Sequence, residues 1–226
     1  MLTQATIDFM NELRENNDRE WFHANKARYE KVKKDYKALV AKLLSTMKEH
    51  DASLATVTEK DCSFRINRDI RFSKDKSPYK TNLGIGMSTH GKRSGMGEYY
   101  VHIEPGGKGF LGGGIYMPSP EQMARIRKEM DVFGEDLEAI IAEPAFKKHY
   151  GNLEREMVLS RPPKGYSADH PHIEFLKLKS YIAITPLPDA LYTNAGLVDF
   201  VAERLRALTP FLVFLNRGLT AENEQW

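Results

Sequence analysis

Cysteine, long apolar runs and net charge are all scarce in this sequence of 226 residues. The one cysteine, Cys62, excludes an intramolecular disulfide and a cysteine-based zinc finger. No stretch of about 18 apolar residues occurs and the N-terminus has no signal-like run, so we expect a soluble, cytoplasmic protein without a membrane partner. Neither a Gly-x-Ser-x-Gly elbow nor a Gly-x-Gly-x-x-Gly that opens a helix is present, and we predict no bound cofactor.

The net charge of +2 conceals an uneven distribution of charge along the chain. Residues 26–48 carry eight basic and two acidic side chains, and residues 60–82 carry seven basic and three acidic ones. The remainder of the chain is therefore acidic. This asymmetry favours an anionic partner, although lysine-rich helix faces also occur simply because they are solvated.

Apolar spacing predicts two helices in the first 50 residues. One is expected from Thr3, a candidate N-cap, to about Asn16. The other begins after Asp18 and continues to about Lys48, and its apolar residues recur at intervals of three, four and seven. This second helix has one apolar face and one strongly cationic face.

The region 57–117 is expected to be rich in strands because apolar residues alternate there with small or polar ones. The strands are predicted at 83–87, 99–104 and 109–116, with a loop at 91–95 and a turn at 105–107. Short links between consecutive strands favour an antiparallel meander.

Helices and short strands are both expected after residue 118. Ser119 followed by Pro120 predicts a helix start. Further helices are predicted at 134–142, 172–177 and 195–218, the last kinked at Pro210, and strands at 157–160 and 181–185. The expected fold is one α+β domain, in which an antiparallel-rich sheet packs with the long N-terminal helix and C-terminal helices. Its three parts are helical 1–50, strand-rich 57–117 and mixed 118–226.

Residues 64–82, hereafter the basic segment, hold six cations in one short span. Guanidinium forks separated by carboxylates suit an anion that must be held in a fixed pose. The candidate anion-binding residues are Arg65, Arg68, Arg71, Lys74, Lys76, Lys80 and Asn82. Asp69 would orient an arginine, and Tyr79 would stack on the ligand. The alternative is a surface loop joined by local Arg–Asp pairs, and the segment lacks the Gly-x-x-x-x-Gly-Lys frame of a P-loop.

His102 and Glu104 are the candidate acid–base pair. If the strand at 99–104 buries Tyr99 and its alternate neighbours, His102 and Glu104 share the opposite face. Glycines at 84, 86 and 112–114 would leave open floor beside them, and histidine ordinarily titrates near neutrality, which suits proton transfer. The alternative is the solvated face of an antiparallel sheet. No spacing typical of a metal site joins this pair to Asp69, so no metal is predicted.

Three motifs together resemble a known family. They are Asn-Asn-x-Arg-x-Trp-Phe-x-x-Asn-Lys-x-x-Tyr at 16–29, Phe-Arg-x-x-Arg-Asp-x-Arg-Phe-Ser-x-Asp-Lys-x-Pro-Tyr-Lys-Thr-Asn at 64–82, and Gly-Gly-Gly-x-Tyr-x-Pro at 112–118. They are similar to motifs of the bacterial and fungal family called domain of unknown function 2461, and the similarity extends over nearly the whole chain. The resemblance implies a single-domain soluble protein and no particular reaction, so it assigns no catalytic residue.

The first motif places Arg19, Asn25 and Lys26 near the start of the long helix, beside its positive dipole end. If that end lies against the basic segment, an anion would meet helix N–H groups, arginine forks and lysines together. A structure with Asn25 far from Arg68 and Lys80 would contradict this arrangement.

Three functions fit these residues, and binding is the leading hypothesis. The protein would bind a phosphate-bearing or otherwise anionic ligand, a nucleic acid or nucleotide, through the basic segment. The second function is an enzyme acting on a small phosphorylated or carboxylated substrate, with His102 and Glu104 as the acid–base pair and the arginines as an electrostatic clamp. The third is a protein–protein interaction module whose basic face meets an acidic partner.

Overall fold

The structure of the chain is a computed structural model, which describes residues 1–89, 91 and 94–220. These residues form nine α-helices and one four-stranded antiparallel sheet, which confirms the predicted α+β class. None of the described helices is long and apolar enough to cross a membrane. The predicted loop at 91–95 includes residues 92 and 93, which lie outside the described part of the chain.

The first three helices are α1 (Gln4–Glu15), α2 (Arg19–Ala24) and α3 (Lys26–Lys48). Thr3 caps α1 as predicted, and Asp18 caps α2 by accepting a hydrogen bond from the Trp21 amide at 2.8 Å. The prediction of one continuous helix after Asp18 is wrong, because the chain leaves helical geometry at Asn25. The Asn25 side-chain amide donates to the Trp21 carbonyl, which competes with the backbone ladder of a continuous helix.

The apolar stripe of α3 packs into the core as its spacing predicts. Its buried residues are Val32, Tyr36, Leu39, Val40, Leu43, Leu44 and Met47. α1 packs beside it, and the Thr3 and Thr6 hydroxyls both donate to the Asp35 carboxylate of α3. This packing leaves Lys33 and Lys37 on the face of α3 that is turned away from the core.

The sheet contains β1 (Leu83–Met87), β2 (Glu98–Ile103), β3 (Phe110–Ile115) and β4 (Tyr181–Pro186), in that order. A short helix, α4 (Glu59–Cys62), and the basic segment precede β1. Gly84 lies opposite His102, and His102 lies opposite Phe110, in antiparallel register. The predicted meander of β1 to β3 is confirmed, and β4 pairs antiparallel with β3.

The remaining helices are α5 (Pro120–Ala142), α6 (Pro144–Tyr150), α7 (Ile173–Leu176), α8 (Leu197–Arg206) and α9 (Thr209–Thr220). α5 begins at the predicted capping box. Its helical geometry breaks at Phe133 (φ −126°, ψ 31°), which agrees with the separate helix predicted at 134–142. The predicted helix at 195–218 is instead α8 and α9. Pro210 cannot donate a helical hydrogen bond, and in a continuous helix its ring would clash with the Arg206 carbonyl. α8 therefore ends at Arg206, and Pro210 lies in the first turn of α9.

The strand predicted at 157–160 is reduced to a single bridge between Val158 and Leu178. Two backbone hydrogen bonds of 2.8 and 3.0 Å flank this bridge. Pro162 and Pro163 follow closely, and because proline has no N–H group it cannot donate the ladder bonds that would extend a strand.

The two faces of the sheet differ in what covers them. Tyr99, Val101 and Ile103 of β2 are fully buried in the main core, where α3, α8 and α9 pack against the sheet. Tyr100 and His102 alternate with them and are only half-buried on the other face. The face that carries His102 is therefore the one available to a ligand, as the alternation predicts.

Neighbouring chain segments partly cover both edges of the sheet. At the β1 edge, Ser63 forms an isolated antiparallel bridge with Ile85. At the β4 edge, the Glu154 amide donates to the Ile182 carbonyl at 2.8 Å. The bridge at Ser63 also fixes where the basic segment begins, next to β1.

Candidate functional site

A groove of about 940 Å³ separates α3 from the basic segment. α3 contributes one wall, and the basic segment and the start of β1 contribute the other. Its cationic side chains are Lys33, Lys37, Lys60, Arg65 and Lys80, and its acidic ones are Glu59 and Asp69. We call this space the cationic groove. Its excess of positive charge attracts anions.

A pocket of about 460 Å³ continues the cationic groove along the sheet. Both spaces are lined by Phe64, Asp69, Lys80, Asn82 and Gly84. Arg68, Tyr100 and His102 complete the second one. The structure thus brings His102 into one continuous depression with Arg65, Lys80 and Asn82 from the basic segment.

His102 is held by contacts on both ring nitrogens and on one ring face. Its Nε2 lies 2.9 Å from Glu104 Oε2, and its Nδ1 lies 3.2 Å from the Asn82 side-chain amide nitrogen. Because that amide can only donate, Nδ1 of the neutral ring accepts and Nε2–H donates to Glu104. Phe110 stacks on the ring with centroids 4.7 Å apart. These contacts fix the orientation and tautomer of the imidazole.

Glu104 is the carboxylate that orients His102. Its other oxygen accepts a hydrogen bond from the Thr81 hydroxyl at 2.9 Å, and Lys108 lies 3.7 Å away. Burial raises the pKa of the Glu104 carboxyl, but the hydrogen bonds from His102 and Thr81 outweigh burial and leave the pKa below its usual value. Glu104 is therefore ionised at neutral pH and able to hold its partners.

Glu98 is a carboxylate on this face that the sequence analysis did not select. It precedes Tyr100 and His102 on the same side of β2, and its Oε2 would lie 2.8 Å from a Cβ placed on Gly86. In the same way, a Cβ placed on Gly84 would lie 2.8 Å from the Tyr100 hydroxyl, so the missing side chain leaves room for Tyr100. No side chain in the described part of the chain donates a hydrogen bond to Glu98, and burial raises the pKa of its carboxyl. Strand alternation was the signal that could have identified it.

Arg68 closes the base of a loop within the basic segment. Its guanidinium donates to the Asp75 carboxylate and, at 3.2 Å, to the Ser77 carbonyl. Hydrogen bonds from Ser77 and from Arg68 lower the pKa of the Asp75 carboxyl to about 2. Arg68 therefore has a structural partner inside the loop, and it also lines the pocket beside His102.

The other predicted cations of the loop divide between paired and exposed residues. Arg71 donates to both oxygens of Asp69, at 2.9 and 2.6 Å, and this pairing lowers the pKa of the Asp69 carboxyl to about 2. Lys76 donates to the Ile70 carbonyl at 2.9 Å. Lys74 is exposed. Arg71 and Lys76 therefore stabilise the loop and Lys74 lies on its outer surface, whereas Arg65 and Lys80 line the cationic groove.

Tyr79 anchors the basic segment to the helices. Its ring is buried and stacks on Phe22 with centroids 3.9 Å apart. The Asn17 side chain pairs with the Tyr79 backbone, donating to its carbonyl at 3.0 Å and accepting from its amide at 3.1 Å. A buried ring cannot stack on a ligand, so Tyr79 supports the site from beneath.

Lys26, the first residue of α3, and the residues just before it do not line the cationic groove. Arg19 and Lys26 are exposed, and the Asn25 side chain bonds to Trp21 and Arg28. None of the three predicted residues Arg19, Asn25 and Lys26 is among those that line the grooves and pockets around the basic segment. α3 instead presents Lys33 and Lys37, two to three turns further along, which the sequence analysis did not select.

Arg14 of α1 is a further cation that sequence reasoning missed. It lines a pocket of about 410 Å³ together with Arg68, Lys80 and Asn82, on the side facing α1. Its guanidinium donates to the Pro105 carbonyl, in the turn between β2 and β3. Only the packing of α1 against that turn brings it here, so no sequence signal pointed to it.

Metal-ligating side chains do not cluster in the described part of the chain. No group of three or more His, Cys, Asp or Glu residues there could hold a metal ion. Cys62 is buried in the hydrophobic core and is not among the residues that line the cationic groove. The chemistry available at the site is therefore that of cations, an oriented histidine and carboxylates.

Comparison with known proteins gives one match. A family model described as a conserved hypothetical protein (DUF2461) matches residues 5–214. No curated protein and no solved structure matches the chain. The matched range contains α1 from its second residue, α2 to α8, the sheet and the whole basic segment, so it includes every residue that lines the cationic groove.

Proposed function

The chain belongs to the DUF2461 family, and we propose that it binds a phosphate-bearing ligand, a nucleotide or a nucleic-acid strand, in the cationic groove. The observation that carries the proposal is the convergence of five cationic side chains, from three parts of the chain, on one groove of about 940 Å³. Lysine attracts phosphate as a point charge, and arginine can bind it through two parallel N–H groups.

Aromatic side chains in the same groove support a ligand that carries a base. Tyr29 and Phe64, both half-buried, line it beside the cations. Bases stack on aromatic rings with little preference for sequence. The groove therefore offers positive charge for phosphate and apolar surface for a base or sugar.

The experiment is a titration of fluorescently labelled single-stranded DNA and RNA, and of a labelled nucleotide, with protein at several salt concentrations. The test variant combines Lys37→Glu with Arg65→Glu, since both residues are exposed and line the groove. The matched control combines Lys34→Glu with Lys42→Glu, which are exposed on α3 outside the groove. Both variants change the net charge equally.

We expect the groove variant to weaken binding strongly and to reduce the salt slope by about 1 for each phosphate contact that is lost. The control should bind nearly as the unmodified protein does. Equal weakening in both variants would mean that overall charge, and not the groove, governs binding. No binding by the unmodified protein at low salt would refute the proposal.

Hydrolysis or transfer at a phosphate ester is a second candidate function, favoured by the His102–Glu104 pair. The 2.9 Å contact between them lies where the pocket meets the sheet, next to Lys80 and Asn82. In this role Glu104 would hold the imidazole, and His102 would exchange a proton with a ligand that displaces Asn82 from Nδ1.

The test for this activity is turnover of aryl phosphate mono- and diesters. His102→Asn should abolish turnover and leave ligand binding within a few fold, because the arginine and lysine contacts remain. Turnover that is equal in the unmodified protein and in His102→Asn would rule out the acid–base role.

A further inference from the structure

Phe72 is an aromatic side chain held in solvent at the tip of the basic segment. Of the large apolar side chains in the described ranges it is the most exposed, at 94%, and the next is Tyr116 at 66%. The basic segment continues on both sides of it into residues that line the cationic groove, at Arg65 and Lys80. An aromatic ring in this position is accessible to a ligand outside the fold.

The loop beneath Phe72 is closed by three local contacts. Arg68 bonds to Asp75 and to the Ser77 carbonyl, and Lys76 bonds to the Ile70 carbonyl at 2.9 Å. These contacts tie the two arms of the loop together across its base. Phe72 is therefore presented on a preformed loop, which reduces the conformational entropy that a partner must remove on binding.

Arg71 places its guanidinium over the ring of Phe72. Its guanidinium is fixed by two hydrogen bonds to Asp69, and its central carbon lies 5.7 Å from the centroid of the Phe72 ring. The Arg71 side chain is 75% exposed. Aromatic rings and arginine planes are the surfaces on which unpaired bases stack.

We infer that Phe72 stacks on an unpaired base of a single-stranded nucleic acid whose phosphates follow the cations of the basic segment into the cationic groove. The inference rests on the proposed function and names its ligand class. A base in a duplex already stacks on its neighbours, so an exposed ring on a protein loop selects for unpaired strands.

The surroundings of Phe72 favour a base over a lipid surface. A membrane-binding surface needs a broad apolar face, whereas Phe72 has Arg71 as its neighbour and exposed Lys74 two residues away. Ile70 is the nearest apolar residue in sequence and is only half-exposed. One ring surrounded by cations fits a strand that alternates bases with phosphates.

The experiment compares two labelled strands of equal length, an oligothymidine and an abasic strand with the same number of phosphates. Phe72→Ala is the test variant, Phe72→Trp is the conservative one, and Tyr116→Ala is the matched control, since it truncates another exposed aromatic residue. We expect Phe72→Ala to weaken oligothymidine binding by about 5- to 150-fold, the equivalent of one lost base stack. Binding to the abasic strand and the salt slope should not change.

Phe72→Trp should retain affinity, and its emission should be quenched by oligothymidine and not by the abasic strand. Thermal unfolding of Phe72→Ala should match that of the unmodified protein, because a side chain that is 94% exposed contributes no packing. A loss of binding would then reflect the contact itself.

Three other outcomes would each contradict the inference. If the unmodified protein binds oligothymidine and Phe72→Ala binds it equally well, base stacking on Phe72 is refuted and binding in the cationic groove is not. If the unmodified protein binds neither strand, both fall. If Phe72→Ala loses affinity only for vesicles of phosphatidylcholine and phosphatidylserine, Phe72 serves a membrane surface and the inference is overturned.

Discussion

Replacing Tyr36 with phenylalanine removes one buried oxygen atom from the junction of α3, β1 and the basic segment. The Tyr36 hydroxyl donates to the Gly84 carbonyl and accepts from the Phe64 amide at 3.0 Å. Burial raises the pKa of Tyr36, so the hydroxyl keeps its proton at neutral pH and can serve both partners. The substitution leaves the ring and its packing in place, so its effect isolates the hydrogen bonds of the hydroxyl, of which these two are to the backbone.

The expected loss of stability in Tyr36→Phe follows from the two backbone hydrogen bonds. Each buried hydrogen bond contributes about 1 kcal/mol net, so Tyr36→Phe should lower the free energy of unfolding by about 2 kcal/mol. For a chain of this size that loss lowers the melting temperature by roughly 4–8 °C. Urea denaturation followed by circular dichroism would give the free energy directly.

Tyr29→Phe is the matched control. Tyr29 lies two turns earlier on α3 and lines the same groove, but its hydroxyl makes no hydrogen bond to any residue that the structure describes. Its removal should change the free energy of unfolding by less than about 0.5 kcal/mol. If the two variants were equally stable, the Tyr36 hydroxyl would not be the tie between α3, β1 and the basic segment, and the reasoning would be refuted.

Three other substitutions give equally definite expectations. Burial raises the pKa of Glu98, so its ionisation at neutral pH opposes folding. Glu98→Gln should therefore raise the melting temperature at pH 7 to 8. This gain should vanish as the pH falls to about 4, where the carboxyl of Glu98 is protonated in both states. A Cβ on Gly134 would lie 2.2 Å from the His172 ring, so Gly134→Ala should destabilise the protein in urea by about 1–3 kcal/mol, despite the better helix propensity of alanine. Hydrogen bonds hold the pKa of Asp75 at about 2, so its contribution to stability should be present above pH 4 and be lost between pH 4 and 2. Asp75→Asn should remove that transition, which would be followed by the tryptophan emission of the Phe72→Trp variant.

Local features of the fold were predictable because they depend on residues that are close in sequence. Thr3 and Ser119 satisfy the amides at their helix starts with their own side chains, whatever packs nearby. The alternation in β1 and β2 is likewise set by the two-residue period of a strand, which also places His102 and Glu104 on one face.

Helix continuity was harder to predict because the competing bonds are weak individually. Asn25 interrupts the helix through a side-chain bond that a helix interior would tolerate elsewhere. At Pro210 the sequence predicted a kink, whereas the structure has two separate helices. In both places the outcome depends on how the two helices pack, and apolar spacing alone does not report that packing.

The walls of the cationic groove depend on contacts between distant parts of the chain. Lys37 reaches the groove because α3 lies beside the sheet, and Arg14 reaches the adjoining pocket because α1 packs against the turn between β2 and β3. Neither residue stands out in its own sequence context. Tyr79 was predicted to stack on the ligand, but its ring is buried in a stack with Phe22. Charge density located the basic segment correctly along the chain, and only the fold distinguishes its groove-lining cations from its loop-forming ones.

The bridge between Ser63 and Ile85 links the candidate site to the solubility of the protein. An uncovered outer strand offers a row of free backbone groups on which a second copy of a chain can add its own strand. Ser63 and the adjoining residues that open the basic segment stand in that position. Any change that lifts them from β1 would promote aggregation from a nearly native state, and an occupied groove, by holding the segment down, would delay it.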